Sequence, residues 1–254
     1  MRKVLLGAVA IVTLTVVAPA SAADVPVKAP NAATTAPVYN WTGFYIGVEG
    51  GGGWADANTT VTTPSGMLFS TGDRFNTNHL AGGFGGFAVG ADYQDSNWVF
   101  GVKGAYDWAN ISGSELTFST NTGTNLTDGQ KLNWVAMVVG RIGYAPTRNL
   151  LVYADTGAAW AGSKRAGVNV STAGVLLATH AGSETLSGWT IGVGEEYLIT
   201  RNISLLAQYN YVDFGTQGVI TNVLILTGPI SVNAVGRDLS TTLHMFKAGL
   251  NWRF

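Results

Sequence analysis

Cysteine is absent from all 254 residues, so neither disulfides nor thiolate metal sites are available to this chain in any compartment. Charge is scarce as well: Asp, Glu, Lys and Arg make up 11% of the residues, against ~25% in ordinary soluble domains. The charges nearly cancel, to a net −1, which leaves no polybasic argument for a nucleic-acid partner. Beyond the first two dozen residues no apolar run is long enough for a membrane-spanning helix, which needs ~20 residues. The chain is nevertheless 46% hydrophobic. Its apolar residues are spread by alternation, and that distribution is what a transmembrane β-barrel requires.

The N-terminus has a basic start (Met1-Arg2-Lys3), an apolar run from Val4 to Ala18 and a small-residue site at Ala20-Ser21-Ala22. This is the layout of a secretory signal peptide over residues 1–22, cleaved after Ala22 or Ala23. Residues 23–40 are rich in Pro, Ala and Val with few charges, and read as an extended periplasmic linker. Residues 41–254 form the structured part.

The closing stretch organises the rest. Phe246, Ala248, Leu250, Trp252 and Phe254 share one face of a strand, and Lys247, Gly249, Asn251 and Arg253 share the other. Periodicity alone does not separate a soluble sheet from a barrel in lipid. The ending does: Lys247, Gly249, Trp252 and Phe254 together resemble the C-terminal signature of bacterial outer-membrane barrels, which implies recognition by the barrel-assembly machinery.

Eight alternating segments are legible: Phe44 to Ala55, Leu80 to Ala91, Trp98 to Trp108, Leu132 to Tyr144, Leu150 to Trp160, Leu186 to Ile199, Ile203 to Phe214 and Leu239 to Phe254. Short polar turns alternate with long Thr/Ser/Asn/Gly-rich connections, some of which should continue as hairpins above the membrane. The predicted fold is all-β: an eight-stranded antiparallel up-and-down transmembrane barrel, long loops outside.

Aromatic spacing supports this independently. Phe44 and Trp54, Trp98 and Trp108, Trp134 and Tyr144, and His244 and Phe254 are each ten residues apart, hence on one face. At ~3.3 Å per residue and ~40° tilt, such a step climbs roughly 25 Å, the height of the lipid-facing band. Trp54, Trp108, Trp134, Trp160 and Trp189 are then expected in the outer girdle, and Trp41, Trp98 and Trp252 in the inner one. The same parity directs Glu49, Lys103, Asp107, Arg141, Asp155, Glu196, Lys247 and Arg253 into the lumen, with Gln208 and Asn210. Eight strands leave room inside only for side chains, so mixed-sign charges there are expected to pair as a polar plug. Glu195 is out of place, because Val193 and Tyr197 beside it face lipid; a bulge or a position at headgroup depth would resolve it.

Glycine clusters at Gly50 to Gly53, Gly82-Gly83 and Gly85-Gly86 lie within strands and lack a following Lys-Ser/Thr and helix. They build no phosphate cradle, and no cofactor or metal is expected. Of the three histidines His79, His180 and His244, the last has the depth of a lipid-modifying catalyst, but no serine sits within two residues on its strand. No catalytic residue is expected, and His244 reads as interfacial.

Asp24-Val25-Pro26-Val27-Lys28-Ala29-Pro30 and Tyr39-Asn40-Trp41-Thr42-Gly43-Phe44-Tyr45-Ile46-Gly47 resemble the start of small alphaproteobacterial outer-membrane barrels of the outer membrane immunogenic protein, or porin-family, type. Gly192-Val193-Gly194-Glu195-Glu196-Tyr197 followed by Tyr209 to Gly215 resembles their sixth and seventh strands, with Glu195 as a departure. The resemblance spans the mature chain and implies a surface-exposed, envelope-structural role in the outer membrane, in contact with its lipid and lipopolysaccharide. A non-enzymatic barrel is therefore expected, with a narrow diffusion channel or a loop-based adhesin as alternatives. The sequence carries no determinant of oligomeric state.

Overall fold

The computed structural model describes residues 40–62, 74–119, 124–226 and 231–254. The segments read as signal peptide (1–22) and linker (23–40) lie outside the described residues, apart from Asn40. Eight strands follow in order: β1 (Gly43–Val61), β2 (Arg74–Asp95), β3 (Trp98–Ser119), β4 (Thr124–Thr147), β5 (Leu150–Ser171), β6 (Leu176–Leu198), β7 (Ile203–Ile225) and β8 (Ser231–Arg253). Each pairs antiparallel with its neighbours, and β8 closes on β1.

Closure fixes the geometry. Following partners once round from Tyr45, through Gly90, Lys103, Val139, Gly157, Thr190, Val212 and Leu243, returns to β1 at Ala55, ten residues further along. A stagger of that size on eight strands tilts them about 40° to the axis. The interior is then one side chain wide from each wall, so inward residues must meet across it.

The strands outrun the outer apolar band. On the lipid face, Trp98 and Trp252 are 50% exposed near the short-turn end, and Trp108 (60%), Trp189 (49%), Trp54 (44%) and Trp160 (37%) form the upper belt. Above that belt the ladder continues, for example to Ser119 opposite Thr124 and to Ser171 at the end of β5. The long connections are thus largely paired hairpins, because Thr- and Val-rich polar stretches can satisfy their backbones by pairing outside the bilayer.

Among the described residues, two interruptions invert the inward–outward alternation. On β4 the pairing shifts around Asn133, between Trp108/Ile111 on one side and Leu132/Trp134 on the other. Val135, Met137 and Val139 point inward below it, and Asp128, Gln130 and Leu132 above it. On β7 the shift falls between Asp213 and Thr216, where Gly215 has φ +62°. That left-handed conformation favours glycine. Val212 and Phe214 point inward before it, and Val223 after it.

Candidate functional site

The lumen is filled in layers, and a site must be sought in them or on the outer wall. The lowest layer is a ring of four ions from the even-numbered strands. Arg141 on β4 donates from Nε to Asp92 on β2 (2.7 Å), again to Asp92 from Nη2, and from Nη1 to Glu196 on β6 (3.1 Å). Arg253 on β8 completes the ring, donating to Glu196 Oε1 (2.9 Å) and to Asp92. Ser204 (2.5 Å) and Asn251 (2.9 Å) supply further donors to Glu196. Tyr45 and Tyr153 stack on Arg141 at 4.9 and 5.1 Å. All four charges are desolvated, so the ring holds only because each has two partners.

Tryptophan spacing places Trp41 in the inner girdle, and the structure corrects this. Its side chain is 0% exposed, lies 4.9 Å under the Arg253 guanidinium, and its carbonyl accepts from Arg253 Nη2 at 2.7 Å. The Gln94 side chain accepts from its backbone N–H (2.8 Å). Trp41 shares the parity of Tyr45 and Glu49, which turns the ring inward to cap the lower mouth.

The second layer joins Glu49, Lys103, Asp107, Asp155, Gln208, Asn210 and Lys247. Glu49 accepts from Lys103 and Lys247, both at 2.6 Å, and Lys247 also donates to Asp107 (2.7 Å). Gln208 accepts from Lys103 (3.2 Å) and donates to Asp155 (2.5 Å), which Asn210 reaches at 3.1 Å. The gap left among Lys103, Met137, Gln208 and Lys247 is about 10 Å³, room for roughly one water.

Above these ions lies an apolar layer. Leu80, Ile111, Leu132, Val135, Leu186, Phe214, Leu239, Leu243 and Met245 meet there with almost no exposure. An aqueous passage would leave such side chains wet. They are packed as the core of a soluble domain would be.

A further polar layer sits above the Trp belt, beyond the hydrocarbon band. Asp128 accepts from Arg165 (3.1 Å) and pairs with His180 (3.1 Å), with Arg237 at 3.9 Å. Arg165 also donates to Thr59 (2.6 Å). Burial pushes the Asp128 carboxyl up, but the His180 hydrogen bond and the charges of Arg165 and Arg237 outweigh it and hold the pKa below the ordinary value. Arg237 is pushed down to about 10 by burial, against the pull of Asp128. Burial raises Glu184.

Every polar residue assigned to the lumen by parity is buried there, and Asp92, Tyr45, Tyr153 and the Asp128 layer join them. Asp92 reads as a turn residue in the sequence, although its parity with Phe84 and Ala88 places it inside. Arg165, His180 and Arg237 also follow parity, once their strands are extended past the belt. Asp128 does not, because the shift at Asn133 intervenes. Trp134 is half-buried on the outer face, stacked on Tyr106 at 6.0 Å. Glu195 is exposed on the outer face and pairs without a bulge with Val152 and Ala207. His244 stacks on Trp54 (5.0 Å) with the Tyr209 hydroxyl 2.7 Å from Nδ1. Phe254 is exposed at the lower rim, its N–H donating to the Phe44 carbonyl (3.0 Å). Among the described residues no group of three or more His, Asp or Glu could hold a metal ion.

The model of a family described as outer membrane protein beta-barrel domain matches residues 9–254. The 31 kDa outer-membrane immunogenic protein of Brucella melitensis is 32% identical over 267 residues, with 100% of both chains covered. The 22 kDa outer membrane protein of Rhizobium leguminosarum bv. viciae is 27% identical over 181 residues, 70% of this chain and 66% of that protein. Among solved structures, the outer membrane protease OmpT from Escherichia coli aligns at TM-score 0.49 and 12% identity over 87% of this chain and 100% of that one. A likeness at that level says nothing about activity.

Proposed function

The chain belongs to the outer membrane protein beta-barrel family and is a protein of the bacterial outer membrane, and on that premise we propose that it is a closed, non-enzymatic barrel whose work is structural and interfacial. The Trp belts hold the bilayer, the ionic layers hold the barrel shut, and the hairpins above the upper belt are presented at the cell surface. The word "immunogenic" in the names of the Brucella relatives supports surface presentation. Lipopolysaccharide and outer-membrane lipid are its standing partners. During biogenesis the barrel-assembly machinery reads Lys247, Gly249, Trp252 and Phe254.

One observation carries the closed reading: the apolar layer of Leu132, Leu186 and Leu243 lies over two rings of paired ions, and the gap among Lys103, Met137, Gln208 and Lys247 holds only about 10 Å³. A solute pathway would need both the leucines and the ion pairs to separate, and breaking each pair costs on the order of 3–5 kcal/mol. Conductance of the refolded protein in planar bilayers tests this. No steady open level is expected, and reproducible unitary steps would replace this reading with that of a narrow diffusion channel.

A further inference from the structure

The register aligns four outward residues in one row across four strands: Ser112 on β3 opposite Lys131, Lys131 opposite Lys164, and Lys164 opposite Ser183 on β6. All four are exposed. Like charges placed directly across an antiparallel pair repel, and among the described residues neither lysine has an ion pair or hydrogen bond. The arrangement is therefore unsatisfied by the protein itself and complementary to an anion held between the two ammonium groups.

The surroundings form a recess for such a group. One level higher, Ser114, Gly129, Ala166 and Ala181 follow one another in register, and their small side chains leave a shallow open depression beside the lysines. No acidic side chain lines it. Below, a second recess of about 240 Å³ shares Lys164 and Ser183 and is floored by Trp134. Glu184, which also borders that recess, keeps its carboxylate on the Ser163 hydroxyl (3.4 Å).

Height decides what kind of anion fits. Lys164 stands four residues beyond Trp160 on the same face, roughly 10 Å above the belt at ~3.3 Å per residue and ~40° tilt. That is the headgroup zone of the outer leaflet, and the row faces the bilayer rim, away from the lumen. The inversion at Asn133 puts Lys131 there; with unbroken alternation it would point inside. We propose that Ser112, Lys131, Lys164 and Ser183 form a binding site for the anionic headgroup of an outer-leaflet glycolipid, whose acyl chains run down the wall past Trp134. The inference rests on the outer-membrane reading of the barrel and adds the site at which that partner is held.

The test uses the full mature chain refolded in neutral detergent, titrated with bis-phosphoryl lipid A and read by native mass spectrometry. The double variant K131S/K164S is expected to bind ~10- to 30-fold more weakly, the loss of two charges near an anionic headgroup. K131R/K164R should retain binding, and dephosphorylated lipid A should bind the unaltered protein as weakly as lipid A binds the double variant. Equal binding by K131S/K164S overturns the site. Binding of inorganic phosphate alone as tightly as lipid A also overturns it, in favour of a free-anion site. Heat-dependent gel migration of every variant reports the barrel separately, so loss of binding with a folded barrel is distinguished from loss of the fold. If the double variant does not fold, K131S and K164S are tested singly, each expected to lose part of the affinity.

Discussion

Arg253 on β8 meets Glu196 on β6 at 2.9 Å inside the lumen, so the strand that closes the barrel is tied by charge to one two places away. Arg141 reaches the same carboxylate from the opposite side at 3.1 Å. Glu196 is thus the point where the lower ring closes, independently of the backbone ladder.

Replacing Arg141 with Ala leaves Asp92 and Glu196 each short of a partner in a dry interior. A loss on the order of 3–5 kcal/mol is expected, measured by urea unfolding of the protein in lipid vesicles. A loss under about 1 kcal/mol would mean that water reaches the ring.

Leu243 and Leu250 lie on opposite faces of β8, the first fully buried in the apolar layer and the second 47% exposed to the lipid side. Leu243→Ala should cost roughly 2–5 kcal/mol, because the rigid interior keeps the cavity. Leu250→Ala should cost clearly less, since mobile acyl chains fill the space. Equal costs in the same unfolding assay would contradict a packed lumen.

The Asp128 layer predicts a pH dependence. The folded pKa of Asp128 lies below its ordinary value, so the folded state holds the carboxylate more strongly than the unfolded chain does. The resulting stability is fully present above the unfolded value of ~3.9 and is lost as pH falls from there through the folded pKa. Amide hydrogen exchange in the upper parts of β4 and β5 should accelerate over that acid window beyond its intrinsic pH trend. Asp128→Asn should remove that component, and an unchanged pH profile in the variant would show that another group is responsible.

Phe254 makes one backbone hydrogen bond to Phe44 and leaves its ring exposed, so its side chain adds little to the folded barrel. Phe254→Ser is expected to refold in detergent almost normally, yet to accumulate in cells as protease-sensitive periplasmic chain. Normal insertion in cells would dismiss recognition of the C-terminal pattern. Lys247 and Gly249 differ from it in having folded-state duties: Lys247 bridges Glu49 and Asp107, and a Cβ on Gly249 would lie 2.6 Å from the Val48 carbonyl oxygen. Their variants should therefore fail in vitro as well.

Period two alone accounts for most of the architecture. Even spacing put Glu49, Lys103, Asp107, Arg141, Asp155, Glu196 and Lys247 on the faces opposite the exposed tryptophans, and the alternation of short turns and long connections set the strand count and order. The same parity contained the inward position of Trp41, which its aromatic character masked. Which charges meet depends on closure of the ring, because Lys247 and Glu49 are 198 residues apart and become neighbours only when β8 closes on β1. Closure also decided the faces beyond Asn133 and Gly215, where one irregular step turns Asp128 into the lumen and Lys131 out of it. A bulge is set by how neighbouring strands pair at a given tilt, and that is a property of the closed ring, absent from any one strand read alone.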